Sequence, residues 1–365
     1  MKQKVLAFLL AAFMVMGLAA CGSGGSGETD SQKEPVSDNQ ENENKESETR
    51  TVTDMAGTEF EVPSDLSHII TVNSVATQAV LMLGGVDAAT TVGRGCFDGT
   101  LLTQMFPEIA EYENNGRYIS SDLTIEAVME LNNTIGESVV LTGDEDMIKS
   151  LREAGCYAAY FSVNGPEDLM DSVRVIGEIL GGEAQEKAEQ YNKYYQDNID
   201  MVKEATAALS DGEKPTVLFV RGVSDTALTV FNAEGTFPNF WIDAAGGINA
   251  ADVRGELTWD EVAAIDPDVI ITEKVSGSQD LLASEAFSQL SAVKNGKVYT
   301  GPFGVAVWTM GSTEEALTVV WAAKTLYPDI LPDVDMEEMT KEYYETFFGY
   351  TPTQEQIQSI LAGNG

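Results

Sequence analysis

Residues 183–209 read EAQEKAEQYNKYYQDNIDMVKEATAAL and contain neither glycine nor proline. The stretch is rich in alanine, glutamate, glutamine and lysine, which are strong helix formers. At a rise of 1.5 Å per residue, it predicts a single helix about 40 Å long. A helix of that length can cross the face of a whole domain, so it divides the chain into a part before it and a part after it.

Short apolar runs alternate with helix-like stretches on both sides of this segment. Such alternation is typical of α/β domains with a mainly parallel sheet. The predicted strands are His68–Asn73, Ala89–Gly93, Val139–Thr142, Cys156–Phe161, Thr216–Arg221, Leu228–Asn232, Val269–Thr272 and Lys297–Thr300. The predicted helices are Thr77–Leu83, Thr124–Leu131, Asp146–Ala154, Pro166–Leu180, Pro238–Ala245, Trp259–Ile265, Ser284–Leu290, Thr313–Leu326, Met336–Phe348 and Thr353–Leu361. The sequence therefore predicts an α/β fold of two mainly parallel-sheet lobes joined by one long helix.

The N-terminus has the form of an export signal. Lys2 and Lys4 precede an apolar run, Val5 to Leu18, which is too short to span a bilayer comfortably as a permanent helix. The run ends in Leu-Ala-Ala-Cys at residues 18–21, which looks like a bacterial lipoprotein signal and implies that Cys21 carries a diacylglycerol. An ordinary signal followed by a chance cysteine is the alternative. We expect residues 1–20 to be a signal peptide and Cys21 to hold the protein on the extracytoplasmic face of the cell membrane by its lipid alone.

Residues 21–49 after the signal are almost free of apolar side chains and rich in Gly, Ser, Glu, Asp and Asn. Such a segment cannot bury enough surface to fold, so we expect a disordered acidic tether. Beyond it, residues 51–63 predict two short strands around a Met-Ala-Gly turn. The predicted organisation is an N-terminal lobe over 50–182, an inter-lobe helix over 183–212, and a C-terminal lobe with terminal helices over 213–365.

The composition excludes several classes of protein. The formal net charge is −38, from 59 acidic against 21 basic side chains, which argues against a nucleic-acid partner and requires local cations for any anionic ligand. His68 is the single histidine. This count argues against a transition-metal site built on imidazoles and against every Ser-His or Cys-His mechanism that does not use His68. We predict no catalytic residues, no resident metal and no cofactor, and a surface hydrolase is the unfavoured alternative.

The two cysteines of the folded part are not expected to form a disulfide. Cys96 follows one predicted strand and Cys156 begins another, so parallel pairing puts them at opposite sheet edges. We expect Cys156 to be buried and Cys96 to be exposed near the cleft.

Several segments together resemble the substrate-binding proteins of ABC importers for iron–siderophore, haem and cobalamin complexes. They are Thr51-Val-Thr-Asp-Met-Ala-Gly57, Ala245-Gly-Gly-Ile-Asn249, Thr258-Trp-Asp-Glu-Val-Ala-Ala-Ile-Asp-Pro-Asp-Val-Ile-Ile271, Val298-Tyr-Thr-Gly-Pro302, and Trp308 before the Ser312–Leu326 stretch. The resemblance covers nearly all of residues 50–363. It implies a rigid joining helix, a ligand cleft between the lobes and only modest closure.

The resemblance also implies a partner. In this family one acidic residue on each lobe docks onto arginines of the ABC permease, and the matching positions are Glu126 and Asp260. Because Asp260 stands where the family usually has glutamate and Glu261 is its neighbour, either of the two could dock. Simple helix capping is the alternative role for these acids. We expect the binding protein itself to be a monomer.

Ligands of open α/β sheets bind beyond the carboxyl ends of the strands. Arg94 and Arg221 end one strand in each lobe, so both are predicted to hold an anionic group, with ion pairing to surface acids as the alternative. Tyr118, Phe97 and Phe231 would add flat faces for a haem, corrin or catecholate. Trp308 matches a loop that reaches the cleft in the family, with core packing as the alternative.

The predicted function is capture of a metal chelate, foremost an iron–siderophore complex, for delivery to an ABC permease. Haem, cobalamin and molybdate are alternative ligands on the same fold. A surface lipoprotein that senses its ligand and signals, without transporting it, is the alternative role.

Overall fold

The computed structural model of the protein describes residues 48–99, 101–119 and 123–364. The predicted signal peptide, Cys21 and the predicted tether up to residue 47 lie outside the described residues. No helix within the described ranges is both long and apolar enough to cross a membrane.

The described chain begins with the predicted hairpin. Strands β1 (Thr49–Thr53) and β2 (Glu59–Pro63) pair antiparallel. Asp54 closes the turn by accepting hydrogen bonds from the N–H groups of Ala56 at 3.0 Å and Thr58 at 2.9 Å. The Asp-Met-Ala-Gly string is therefore a side-chain-closed turn, which is a common use of aspartate.

The N-terminal sheet is parallel. Its strands β3 (His68–Thr71), β6 (Ser138–Thr142) and β7 (Tyr157–Tyr160) lie in the order β3-β6-β7. A second parallel pair, β4 (Val92–Gly93) and β5 (Tyr118–Ile119), is joined to β3 through isolated bridges. The carboxyl ends of β4 and β5 therefore lie at the same edge of the sheet.

The C-terminal sheet is mixed but mainly parallel. Its strands are β8 (Thr216–Val223), β9 (Ala227–Phe231), β10 (Ile248–Asn249), β11 (Arg254–Thr258), β12 (Val269–Thr272) and β13 (Val298–Thr300). The order is β11-β9-β8-β12-β13, with β10 also on β8, and β9 is the antiparallel member. The predicted α/β class with mainly parallel sheets is confirmed.

Helices cover both sheets. They are α1 (Ser74–Ala88), α2 (Leu101–Met105), α3 (Ile125–Thr134), α4 (Glu145–Glu153), α5 (Pro166–Leu180), α6 (Glu183–Thr206), α7 (Phe237–Ala244), α8 (Trp259–Ile265), α9 (Val275–Ala283), α10 (Ser291–Lys294), α11 (Glu315–Leu326), α12 (Met336–Phe348) and α13 (Gln354–Leu361).

Helix α6 is the long helix that the sequence predicts, although it ends at Thr206, not Leu209. Its 24 residues span about 36 Å. It packs against α1 and α5 of the N-terminal half and against α7 and α11 of the C-terminal half. Its buried residues recur every three or four positions, as in an amphipathic helix: Ala184, Ala188, Tyr191, Tyr195, Asn198, Ile199, Val202 and Thr206.

One apolar core runs through both halves. It includes Ile69 and Val80 before α6, Tyr195 within it, and Phe219 and Val320 after it, all fully buried. Each sheet also has a smaller core on its other face, one around residues 70 and 140 and the other around residues 218 and 270. Because alternate residues of a strand point to opposite faces, Ile69 joins the shared core while Ile70 joins the smaller one.

Candidate ligand-binding site

The carboxyl edge of the N-terminal sheet carries a free cation beside two aromatic rings. Arg94 directly follows β4 and is exposed, and its guanidinium forms no ion pair with any residue in the described ranges. Phe97 and Tyr118 are half-buried, and their ring centroids lie 5.2 Å apart at an interplanar angle of 56°. Three of the predicted ligand contacts are thus grouped at one edge.

The C-terminal sheet carries a second group around Phe231. Arg221 lies at a β-bulge between Val220 and Gly222 and is 44% exposed. Its Nε donates to Glu273 at 2.6 Å, while its terminal amino groups form no hydrogen bond with the described part of the chain. The backbone N–H of Glu273 donates to the carbonyl of Val220 at 2.8 Å, which fixes this carboxylate beside the arginine.

Phe231 brings in a further cation, Arg254, that the sequence reasoning missed. The guanidinium carbons of Arg254 and Arg221 lie 4.4 Å and 5.5 Å from the centroid of the Phe231 ring. Both distances fit cation–π contacts. Register explains the proximity, because Arg254 of β11 is paired with Phe231 of β9. Arg254 could have been placed beside Phe231 from the sequence only if β11 had been predicted as a strand.

The edges of the two sheets approach each other through two loops. The loop after β4 contains Gly99, and the loop after β13 contains Phe303 and Gly304. A Cβ atom on Gly99 would lie only 3.2 Å from Cζ of Phe303 and 3.4 Å from the carbonyl oxygen of Gly304. Glycine at position 99 therefore lets these loops touch, next to the Arg94–Phe97 segment.

Trp308 does not lie where the sequence reasoning placed it. Its side chain is fully buried in the shared core, so it cannot line an open cleft. Its backbone holds the loop after β13 together, because its N–H donates to Pro302 at 3.0 Å and its carbonyl accepts from Thr318 Oγ1 at 3.1 Å. Sequence could place Trp308 on this loop but not decide which way the ring points.

The two cysteines are free, as expected, but their burial is the reverse of the prediction. Cys96 is 1% exposed, and burial raises the pKa of its thiol to about 12. Cys156 is half-buried, and its pKa is also raised by partial burial. Both thiols are therefore held in the protonated form more firmly than a free cysteine.

The two predicted docking acids occupy equivalent places. Glu126 and Asp260 are the second residues of α3 and α8, both are exposed, and neither side chain has a hydrogen-bond or ion-pair partner among the described residues. Glu261 differs, because its carboxylate accepts from the N–H of Thr258 at 2.8 Å and from Thr258 Oγ1 at 2.7 Å. This capping box occupies Glu261 and leaves Asp260 free.

A cavity of about 570 Å³ lies between the two halves. It is lined by residues 164–168 at the start of α5, by Asp211 and Lys214, and by residues of the 235–249 segment around α7. Its volume suits a small-molecule ligand. Its charged lining is mostly acidic, and none of the predicted ligand contacts lines it. The arginine and aromatic groups at the sheet edges are thus a separate surface.

The described ranges contain no cluster of metal-ligating side chains. No group of three or more His, Cys, Asp or Glu side chains there could hold a metal ion. His68 is half-buried at the start of β3.

The chain is similar to known solute-binding proteins. Residues 140–304 match the profile of a family described as periplasmic binding protein. The molybdate-binding protein MolA of Haemophilus influenzae is 29% identical over 121 residues, which cover 31% of this chain and 34% of that protein. An uncharacterized ABC transporter substrate-binding lipoprotein, YvrC of Bacillus subtilis, is 24% identical over 80% of this chain and 87% of its own length.

Solved structures show the same fold. The crystal structure of a periplasmic solute binding protein from Veillonella parvula superposes with a TM-score of 0.73. The alignment covers 86% of this chain and 97% of that protein at 24% sequence identity. This likeness shows a shared fold, in agreement with the two sheets and the long helix.

Proposed function

Because residues 140–304 match a family described as periplasmic binding protein, we propose that the chain is an extracytoplasmic solute-binding lipoprotein of an ABC importer. It captures its ligand between lobes formed by residues 50–182 and 213–365, which the segment 183–212 joins. Cys21 anchors it through a lipid, and residues 21–49 tether it. A lipid anchor with a tether raises the effective concentration of the receptor at a permease in the same membrane.

The proposed ligand is an anionic metal chelate, with iron–siderophore complexes as the leading class. Two groups of cations and aromatic rings carry this proposal in a chain of net charge −38. Arg94 lies on the loop of Phe97 near Tyr118 in the N-terminal half, and Arg221 and Arg254 lie over Phe231 in the C-terminal half. A strongly acidic protein repels anions except where cations are concentrated locally. The guanidinium groups would bind the charged periphery of the chelate, and the rings would pack on its flat parts. Haem and cobalamin would use the same surface.

Molybdate is the second candidate, favoured by the similarity of residues in this chain to MolA. An oxyanion of this kind needs charged hydrogen-bond donors but no aromatic faces. The two candidates therefore differ in their dependence on Phe97 and Tyr118, which only a chelate would contact with its flat parts.

A thermal-shift screen tests the proposal. The mature chain with Cys21→Ser, which blocks acylation, would be heated with ferric enterobactin, haemin, cyanocobalamin or sodium molybdate. A ligand at one hundred times its dissociation constant adds about 2.7 kcal/mol to the free energy of unfolding. We expect ferric enterobactin to raise the melting temperature and Arg254→Ala to weaken its binding at least tenfold.

Lys193→Ala is the matched control, because it removes a cation that pairs only with Asp197 on the exposed face of α6. A shift with molybdate alone, unaffected by Tyr118→Ala, would favour the second candidate. If no ligand raises the melting temperature, the proposed ligand class is ruled out. If Arg254→Ala and Lys193→Ala weaken binding equally, the proposed site is ruled out.

A further inference from the structure

The loop after β13 is held from beneath by a buried carboxylate. Glu314 is fully buried, and its Oε1 and Oε2 accept hydrogen bonds from the N–H groups of Val305 at 3.0 Å and Ala306 at 3.1 Å. The hydroxyl of Tyr344 on α12 donates to the same carboxylate. Glu314 thus ties two consecutive loop amides to the interior.

Gly304 shows how closely this carboxylate approaches the loop. A Cβ atom at position 304 would overlap both the Glu314 carboxylate and the Tyr344 hydroxyl. No residue other than glycine therefore fits there without moving these two side chains. The side chain of Phe303 and the carbonyl group of Gly304 lie against Gly99 of the N-terminal half. Glu314 therefore fixes the part of the loop that faces the opposite sheet edge.

We infer that ionised Glu314 is a positioning residue, which holds residues 303–306 in place against the loop that carries Arg94 and Phe97. Both carboxylate oxygens must accept for both amides to be satisfied. An amide side chain would present its NH₂ group to one of the two N–H groups, and a protonated carboxyl would offer one of them only a hydroxyl oxygen, which is a weaker acceptor. A buried N–H without a good acceptor is costly. The inference depends on the proposed function only in its last step, that this loop borders the ligand.

The surroundings of the Glu314 carboxyl group make its charge sensitive to pH near neutrality. Burial raises the pKa of Glu314 to about 7, and the hydrogen bonds from Tyr344, Ala306 and Val305 limit the rise. Tyr191 of α6 and Tyr343 and Tyr344 of α12 face it, and burial raises the pKa of each, so they stay neutral. The indole of Trp308 also faces the carboxylate without a well-aligned hydrogen bond, and buried Glu315 adjoins it in sequence. As the pH falls through this pKa, Glu314 takes up a proton and loses its charge.

Glu315 supplies a matched control. It is 1% exposed, and neither of its carboxylate oxygens has a well-aligned hydrogen bond in the described part of the chain, although the N–H of Gly311 faces the carboxylate. Glu315→Gln therefore alters a buried carboxyl group next to Glu314 without touching the loop amides. If Glu314 only contributes to general packing, Glu314→Gln and Glu315→Gln should affect the loop amides equally. If Glu314 positions the loop, only Glu314→Gln should affect them.

Amide hydrogen exchange of the ligand-free mature chain tests the inference. Protection factors of Val305 and Ala306, already corrected for the intrinsic pH dependence of exchange, would be measured at pH 8 and pH 6. We expect Glu314→Gln to lower them at least tenfold at pH 8 and Glu315→Gln to leave them unchanged. In the wild type they should fall between pH 8 and pH 6. This wild-type comparison needs no variant and keeps the test valid if Glu314→Gln folds poorly.

Equal protection in wild type and Glu314→Gln, equal losses in the two variants, or wild-type protection that does not change with pH would overturn the positioning role. Affinity for ferric enterobactin, used as the probe, tests the last step separately. Glu314→Gln should weaken binding at pH 8 and abolish its pH dependence, while Glu315→Gln should not. A changed exchange rate with unchanged affinity would show that the loop does not border the ligand. Failure of the ligand screen would instead count against the proposed function, since the exchange measurement uses no ligand.

Discussion

Asp54 is an acidic side chain that is only 3% exposed, in a protein whose acids are mostly on the surface. Besides closing the turn of the hairpin, it accepts hydrogen bonds from Arg152 Nη2 at 3.1 Å and from the N–H of Tyr160 at 3.2 Å. It therefore fixes the hairpin to strand β7 and helix α4. The short Thr-Asp-Met-Ala-Gly motif has a structural explanation that is independent of ligand or permease.

Asp54→Ala should lower the free energy of unfolding by about 2 kcal/mol, because three partly buried backbone N–H groups and Arg152 Nη2 lose this acceptor. Urea denaturation would measure this loss. Asp171→Ala is the comparison, since it also removes an aspartate–arginine pair but a half-exposed one, and should cost less than about 1 kcal/mol. Similar losses in the two variants would contradict the role assigned to Asp54.

At the scale of single residues, sequence order could predict position better than orientation. Arg94 and Arg221 lie near strand ends, as strand assignment and topology alone predict. Trp308 is on the expected loop but points into the core, because ring direction depends on packing from α7 and α11 that the local sequence does not reveal. Glu314 and Glu315 begin a helix, where acids are normally solvated, so nothing in the sequence signals their burial.

Helix α6 contains two buried tyrosines one turn apart with different hydroxyl environments. The hydroxyl of Tyr191 donates to the carbonyl of Thr313 at 2.7 Å, whereas the hydroxyl of Tyr195 is buried without a partner. Tyr191→Phe should therefore lower the free energy of unfolding by about 1–2 kcal/mol, while Tyr195→Phe should be neutral or stabilising.

Urea midpoints at unchanged slope would measure both effects. The tyrosines serve as controls for each other, since each change removes one buried oxygen from the same helix. Equal destabilisation by the two variants would mean that the Tyr191 hydrogen bond does not link α6 to the segment before α11.

At the scale of elements, the long and strongly periodic helices could be predicted and the short irregular ones could not. Helices α5, α6 and α12 agree with the sequence to within a few residues. The range 284–290, expected to be a helix, contains only a 3₁₀ turn over 287–289, with α9 before it and α10 after it. Gly277 lies inside α9 and weakens its pattern, and Gly255 does the same for β11. Contacts with the sheet stabilise both elements.

For the whole molecule, the free acids on α3 and α8 lead to a prediction about delivery. Glu126→Ala combined with Asp260→Ala should leave ligand binding in the thermal-shift assay unchanged but should abolish ligand uptake by cells with the cognate permease. Glu261→Ala should instead cost about 1 kcal/mol of stability, because it removes one half of a capping box, and should retain uptake. Normal uptake by the double variant would exclude these acids from docking.

Buried Glu315 leads to a prediction about pH. Burial raises its pKa well above the ordinary value of 4.5, so the folded protein binds a proton that the unfolded chain releases. Its stabilising contribution is full below pH 4.5 and is lost as the pH rises through the folded-state pKa. Glu315→Gln should therefore make the free energy of unfolding fall less steeply with rising pH.

Urea titrations between pH 5 and pH 9 would measure that slope, with Glu130→Gln on the exposed face of α3 as the control for charge removal. A slope in Glu315→Gln that matches the wild type would mean that Glu315 is ionised in the folded protein at neutral pH.

The apolar core that runs through both halves has a consequence for unfolding. Domains connected by a flexible linker can melt one after the other, each at its own temperature. Here the inner faces of both sheets, together with α6, bury side chains in one continuous cluster. Losing either half would expose the inner face of the other to water, at a free-energy cost that grows with the apolar area uncovered. The two halves should therefore melt together in one cooperative transition, and a proteolytic cut between them should not release a stable fragment.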